Sequence, residues 1–96
     1  MFKLTVTSAP EIIMNQAEVI EQLQKIFNTV FLEPVALDQA LDIRKLRQWD
    51  WITDIYFVIA VEDFFGVKFR IYEVEATKNI GEFADLILER LNAPKR

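Results

Sequence analysis

The first half of the chain carries apolar residues at spacings of three and four, the period of an amphipathic helix. Asn15 stands at the position of an N-cap, and Glu18 three residues later can complete a capping box. Met14 and Val19 occupy the staple positions around that cap, and Pro34 follows soon after the pattern ends. The pattern predicts a first helix between the cap and the proline. Its apolar stripe, along about four turns, contains Ile20, Leu23, Ile26, Phe27, Val30 and Phe31.

A different period precedes this helix. Residues 1–14 alternate the apolar Phe2, Leu4 and Val6 with polar neighbours, which is typical of a short strand or an extended arm. A disordered leader is the alternative at a chain terminus. The sequence therefore divides into an N-terminal arm over 1–14, one folded domain over 15–92 and a polar C-terminal tail over 93–96.

Residues 33–48 keep apolar side chains at intervals but show no lasting period. We expect a long loop that packs on the core, since long free loops are uncommon in compact domains. Arg44, Lys45 and Arg47 give the end of this loop a local positive charge. A solvated basic loop is the preferred interpretation of that charge, and a binding role is the alternative.

The second predicted helix has two apolar faces rather than one. Asp50 can cap its first turn, and Gly66 can adopt the left-handed conformation that ends a helix after Phe65. A surface helix needs only one apolar face, so the second must meet another element or another protein. The pattern does not decide which face is core. One face has Phe57, Val58, Val61 and Phe65, and the other has Ile52, Ile55, Tyr56 and Ile59.

Two further helices complete the predicted domain. Residues 72–76 suit a short helix of one or two turns, and Asn79 with Glu82 forms a second capping-box pattern. We therefore predict an all-α four-helix bundle with a long first loop and a short third helix. The last helix has one apolar face made by Ile80, Phe83, Ala84, Ile87, Leu88 and Leu91.

Composition narrows the class of protein. A length of 96 residues suits one domain, and 52% hydrophobic with 27% charged residues is typical of a folded chain. The formal net charge of −4 disfavours nucleic acid as a partner, since such binding depends on neutralising phosphates with Lys and Arg. The chain has no Cys and no His, so disulfides, the usual metal ligands and the usual general base are all missing.

The remaining residue types do not form a catalytic or metal motif. The acidic neighbours Glu62 and Asp63, and likewise Glu73 and Glu75, do not follow a calcium-loop pattern, so solvated helix charges are the better interpretation. Two single, well-separated glycines exclude a glycine-rich phosphate loop. We predict that the protein is not an enzyme and holds no metal.

The lengths of the apolar runs predict where in the cell the protein is located. The longest run, residues 55–61, is far shorter than the roughly 20 residues of a membrane-spanning helix. No apolar stretch of signal-peptide length precedes Pro10, which favours retention in the cytoplasm.

The segment 49–67 resembles the second helix of acyl carrier proteins, whose signature is Asp-Ser-Leu at the start of a helix that ends in an acidic stretch, Phe and Gly. The resemblance continues without a gap through 77–85, which is similar to the start of that family's last helix. With the capped first helix and the long loop, it covers about residues 15–92. It implies the same four-helix fold.

In that family, the serine after the Asp is esterified with 4′-phosphopantetheine, which then holds acyl groups as thioesters. The matching residue here is Trp51, and an indole has no hydroxyl. Thr53 would point about 200° around the helix from the attachment position, and Ser8, the single serine, lies in the arm. The resemblance implies no cofactor for this chain, and phosphopantetheine would be expected only with Ser at position 51.

The resemblance also implies a docking face, because these carriers present acidic side chains along the second helix to basic patches on biosynthetic enzymes. Tyr56 and Phe64 occupy two such positions, so the acidic character is reduced and apolar docking becomes more plausible. Asp54 and Glu62 keep part of it. The expected partner-binding residues are Asp50, Trp51, Ile52, Ile55, Tyr56, Ile59 and Asp63.

Three interpretations of Trp51 stay open: an additional core aromatic, an anchor of a protein interface, or a replacement of serine in an ordinary carrier. Three functions follow. The chain is a carrier-like module that binds proteins without being loaded, a true carrier of a fatty-acid or polyketide-type pathway whose serine is replaced, or a self-associating structural protein.

Overall fold

A computed structural model describes residues 14–92 as a bundle of four α-helices with no strand in that range. The predicted all-α fold, long first loop and short third helix are confirmed. The third helix begins one residue earlier than predicted. The predicted arm over 1–14, apart from Met14, and the tail over 93–96 lie outside the described residues. The helices are α1 (Gln16–Val30), α2 (Trp51–Phe65), α3 (Ile71–Glu75) and α4 (Ile80–Leu91), with a 3₁₀ turn at Ile43–Lys45.

The predicted caps define the helix ends. The Asn15 side chain accepts from the Glu18 N–H at 2.8 Å and the Glu18 carboxylate accepts from the Asn15 N–H at 2.9 Å, so this capping box is complete. Gly66 ends α2 with a φ of 70°, a conformation that a residue without a Cβ adopts freely. Only one half of the second predicted capping box, that of Asn79 and Glu82, is confirmed. Asn79 caps α4, but the Glu82 carboxylate accepts from the Lys78 N–H instead of that of Asn79.

A group of aromatic rings occupies the centre of the bundle. Trp49 stacks on Phe27 with ring centroids 5.8 Å apart and meets Phe57 edge-on at 5.7 Å. Phe57 in turn contacts Phe83 of α4. These rings connect α1, α2 and α4, and their burial contributes to the driving force for the fold. The buried core comprises Val19, Leu23, Ile26, Phe27, Phe31, Leu37, Ile43, Phe57, Val61, Val74, Ile80, Phe83, Ala84 and Ile87.

The long loop is attached to the helices by hydrogen bonds, as expected from its apolar residues. Gln24 of α1 donates to the Val35 carbonyl and accepts from the Leu37 N–H. Gly81 donates its N–H to the Gln39 carbonyl at 2.9 Å, and a Cβ at position 81 would lie 2.9 Å from that oxygen. The loop therefore needs glycine at the start of α4 to approach this closely.

Two arginines hold the short α3 helix at its ends. The Arg44 guanidinium donates to the carbonyls of Val74 and Thr77, each at 2.9 Å, next to the C-terminus of α3. At the other end the Arg90 guanidinium donates to the Lys68 carbonyl at 2.7 Å and pairs with Glu73. Arg44 is thus neither merely solvated nor free for binding, which corrects the interpretation of the basic loop at that residue.

Candidate protein-interaction surface

The two apolar faces of α2 have different environments. Phe57 and Val61 are buried against the core, with Val58 and Phe65 partly buried beside them. The face with Ile52, Ile55, Tyr56 and Ile59 is exposed to solvent. The structure therefore decides which face of α2 belongs to the core, a question that the periodicity left open. The second face does not pack into the core formed by residues 14–92. Such an exposed apolar face is typical of a surface that binds another molecule.

Trp51 is not a core residue. Its side chain is 71% exposed, which overturns the interpretation of an additional core aromatic. The tryptophan that packs in the core is Trp49, two residues earlier. Its indole N–H donates to Asp54 at 3.1 Å while its rings stack on the core aromatics. Trp51 instead stands at the first position of α2, next to the exposed apolar face.

An open groove separates α2 from α3. Two contacts show how α3 runs relative to α2. Glu62, near the end of α2, accepts from the Phe69 N–H just before α3. Val74, near the end of α3, lines the same cavity as Asp54, near the start of α2. The start of α3 therefore lies beside the end of α2. The groove is lined by Trp51, Asp54, Ile55, Val58, Ile59, Glu62, Phe69, Arg70, Ile71, Val74 and Glu75.

The contribution of α3 to this surface was missed at the level of sequence. Ile71 and Tyr72 are largely exposed at the start of α3, beside the apolar face of α2. A helix of five residues is too short for a periodic pattern to show which side faces the core. These two side chains take their positions because Arg44 and Arg90 hold α3 at its two ends.

Most carboxylates of α2 make hydrogen bonds within the chain. Asp50 accepts from the Thr53 N–H at 2.8 Å, and Asp54 accepts from an indole. Glu62 accepts from a backbone N–H, with Lys68 Nζ 4.0 Å away, and its side chain is mostly buried. Asp63 is exposed, and the structure shows no hydrogen bond to its carboxylate from residues 14–92. Hydrogen bonds within the chain therefore hold Asp50, Asp54 and Glu62 in place, whereas Asp63 faces solvent.

Two carboxyl groups have perturbed acidities. The backbone N–H and hydroxyl of Thr53 lower the pKa of Asp50 below its usual value. The pKa of Glu73 is lowered by the Arg70 N–H and then by its pair with Arg90. Both shifts come from hydrogen bonds that favour the charged carboxylate, so each group is ionised at neutral pH and structural in role.

Position 51, which the resemblance matches to the attachment serine, offers no hydroxyl for a phosphopantetheine ester. Trp51 offers only an N–H donor. The nearby hydroxyl of Thr53 donates to the Asp50 carboxylate at 2.8 Å as part of the helix cap. Residues 14–92 contain no cluster of acidic side chains that could hold a metal ion. No helix in the same range is long and apolar enough to cross a membrane.

A small cavity lies between α2 and the core. The cavity beneath α2, between Phe57, Val58, Val74 and Ile80, measures about 20 Å³. Such a volume holds about one water molecule.

The fold is that of an acyl carrier protein. The solution NMR structure of a holo acyl carrier protein from Geobacter metallireducens is similar to this chain with a TM-score of 0.69 and 26% sequence identity. The similarity covers 76% of this chain and 85% of that chain. No protein-family model and no curated protein matches the chain.

This similarity supports the resemblance inferred from residues 49–67 and 77–85. The structural neighbour is a carrier rather than a catalyst, in agreement with the prediction that this chain is not an enzyme. The similarity in fold gives no information on the residue at position 51, which is known from the sequence alone.

Proposed function

We propose that this protein is a carrier-like interaction module that binds other proteins through the exposed side of α2 and is not loaded with phosphopantetheine. The observation that carries the proposal is the exposed indole of Trp51 at the first position of α2, where a carrier needs a hydroxyl. The scaffold around it, including the Asp50 cap, is intact.

The surroundings of Trp51 support a binding role. The indole continues directly into the apolar face with Ile55 and Ile59, and Trp and Tyr concentrate binding energy at interfaces. Because six large apolar side chains of α2 are exposed, recognition relies more on apolar contact than on ion pairs. The partners we propose are proteins, among them carrier-recognising biosynthetic enzymes in the cytoplasm, and not nucleic acids.

Loading is tested by incubating the purified chain with coenzyme A and a promiscuous phosphopantetheinyl transferase. Mass spectrometry of the intact protein should show no change in mass, because no hydroxyl stands at position 51. An increase by one phosphopantetheine group would reject the proposal. The matched control is Trp51→Ser in the same reaction, which reports whether the transferase recognises the rest of the scaffold.

A second candidate is a true acyl carrier of a fatty-acid or polyketide-type pathway whose attachment serine has been replaced. The similarity to a holo acyl carrier protein and the intact Asp50 cap favour it. Trp51→Ser should then be modified to completion and should accept an acyl group from an acyl-loading enzyme. If Trp51→Ser stays unmodified while its helical content is unchanged, this candidate is rejected and the non-loading module remains.

A further inference from the structure

The groove between α2 and α3 has an apolar lining that is open to solvent. Its volume is about 490 Å³, a size typical of binding pockets. Trp51, Ile55 and Ile59 follow one another at intervals of four along the α2 side, and Ile71 lies on the α3 side. All four side chains are exposed within residues 14–92, so the groove suits an apolar occupant.

The ionisable side chains that line the groove are mainly acidic. The carboxylates of Asp54, Glu62 and Glu75 stand against the guanidinium of Arg70. Hydrogen bonds hold Asp54 and Glu62 in place and leave their negative charges unchanged. The lining therefore has an excess of negative charge, which favours an occupant with a basic group.

Charged groups that flank the lining do not cancel this excess, because each flanking cation is accompanied by an anion. Three such sets are present, namely Arg44 and Asp50 at the start of α2, Lys68 and Asp63 near its end, and Arg90 with Glu73 on the side of α4. The occupant that fits best is therefore apolar on one side and weakly basic.

Residues 1–13 lie outside the described range and have the composition that this lining favours. Phe2, Leu4 and Val6 alternate with polar residues, so an extended segment presents all three on one side. Among residues 1–10 the single ionisable side chain is that of Lys3. The arm thus combines an apolar side with one basic group.

The arm and the groove also have matching lengths. The part of α2 that lines the groove, from Trp51 to Glu62, is about 17 Å long. Residues 2–7 in extended conformation span about 17 Å as well. One short segment of the arm is therefore long enough to fill the groove from end to end.

The point where the arm is attached allows it to reach the groove. The Gln16 amide donates to the Gly81 carbonyl at 3.2 Å, which places the start of α1 beside the start of α4. Gly81 follows the groove residue Glu75 closely in sequence, and the intervening turn keeps the two nearer than the roughly 22 Å of an extended segment. Residues 7–13 span up to about 25 Å, so they bridge from α1 to the groove.

We infer that residues 2–7 bind in the α2–α3 groove of their own molecule. Their apolar side chains lie against Ile55, Ile59 and Ile71, and Lys3 lies near the carboxylates of the lining. The tether keeps the arm at an effective concentration in the millimolar range at the groove. The arm thus occupies the surface proposed for protein partners and lowers their apparent affinity by the fraction of molecules whose groove is open.

The first experiment compares the amide chemical shifts of the full chain with those of the triple variant Phe2→Ser, Leu4→Ser and Val6→Ser. The amides that line the groove should shift, because the arm leaves it. The matched control, Thr5→Ala with Thr7→Ala, changes the other side of the same segment and should leave the groove amides as in the parent. With both variants as helical as the parent, unchanged groove amides in the triple variant, or equal changes in the two variants, would overturn the inference.

Dilution distinguishes the arm from a second copy of the chain. A contact within one molecule does not depend on protein concentration, so the groove amides of the parent should keep their chemical shifts on dilution. A dependence on concentration would show that a second copy occupies the groove and would overturn the inference.

The second experiment adds a synthetic peptide of residues 1–13 to the isotope-labelled proteins. The triple variant has an open groove, so the peptide should shift its groove amides. The parent should bind the peptide at least about tenfold more weakly, because its own arm competes from within the molecule. A peptide with the same three serine substitutions is the control and should not bind. Absence of binding to the triple variant, or equal binding by the two proteins, would overturn the inference.

The inference rests on the proposed function in one respect, namely that the groove beside α2 is a protein-binding surface. The two fail separately. Groove amides that ignore the arm would reject this inference while a chain that resists the transferase leaves the proposed function standing. A gain of phosphopantetheine would reject the proposed function and leave the binding of the arm to be read from the amide shifts.

Discussion

The helices α1 and α2 have the same length, yet they use their apolar residues differently. Each contains 15 residues and begins with an Asn or Asp cap. In α1 a single stripe is apolar and four of the helix residues are buried. In α2 the apolar residues lie on both faces of the helix, and only Phe57 and Val61 are fully buried. The more hydrophobic helix therefore buries fewer of its side chains.

This difference separates residues that pack in the core from apolar residues that remain exposed. A small bundle offers each helix one inward side, so the second apolar side of α2 adds nothing to the core. Exposed apolar side chains in such number lower solubility unless a partner covers them. The comparison thus places the folding determinants on α1 and the inner side of α2, and it leaves the outer side of α2 as the surface for which we propose a binding role.

The largest effect should come from the inner side of α2. Phe57→Ala removes a buried ring that contacts Phe27, Trp49 and Phe83 and leaves a cavity between three helices. We expect the free energy of unfolding to fall by about 3–5 kcal/mol, measured by urea denaturation followed by circular dichroism. Phe27→Ala on α1 should have an effect of the same size. A loss below about 1 kcal/mol for Phe57→Ala would contradict the assignment of this side as core.

A smaller effect should distinguish the two helix caps at acid pH. Asp50 has a lowered pKa in the folded protein, so its cap stabilises α2 fully above the ordinary pKa of the free carboxyl group. That stabilisation is lost as the pH falls through the lowered pKa of the folded state. Asn15, the corresponding cap residue of α1, has an amide side chain that carries no ionisable group.

The measurement is the pH dependence of the amide chemical shift of Thr53, which donates to the Asp50 carboxylate. Asp50→Asn keeps a capping oxygen but removes the titration, so the dependence at Thr53 should disappear. Glu73 also loses its pair with Arg90 at acid pH, and therefore global stability still falls in this variant. An unchanged titration of Thr53 in Asp50→Asn would show that another group is responsible.

The smallest effect on stability should come from the outer side. Trp51→Ser removes a largely exposed indole, and we expect the free energy of unfolding to change by no more than about 0.5 kcal/mol. Trp49→Ser is the matched control, because it removes the same kind of side chain from the aromatic core. Its destabilisation should be several times larger in the same denaturation experiment. Equal losses for the two variants would remove the distinction between the sides.

The helix boundaries were largely predictable because they depend on local chemistry. A capping side chain such as Asn15 or Asp50 bonds to an N–H three residues away, and Gly66 adopts a conformation that few other residues tolerate. Glu82 is the exception, since its carboxylate had two N–H donors within reach and took that of Lys78. Local patterns predict which residues can bond, and they do not rank close alternatives.

The roles of the two neighbouring tryptophans were not predictable in the same way. Trp49 and Trp51 are two residues apart, and each could have reached the core from the start of α2. The path of the long loop, held on α1 by Gln24 and at α4 by Gly81, turns Trp49 inward and leaves Trp51 outside. The role of Arg44 could not be predicted either, because the carbonyl groups to which it donates lie about 30 residues away in sequence.

The sequence by itself determined the four helices, their caps and the missing hydroxyl at position 51, because each depends on the identity of one residue or on contacts within a few positions. Only the tertiary structure decided which side of α2 is core, where α3 lies and which carboxylates remain free, because these depend on packing between segments far apart in the chain. The groove between α2 and α3 arises from that packing.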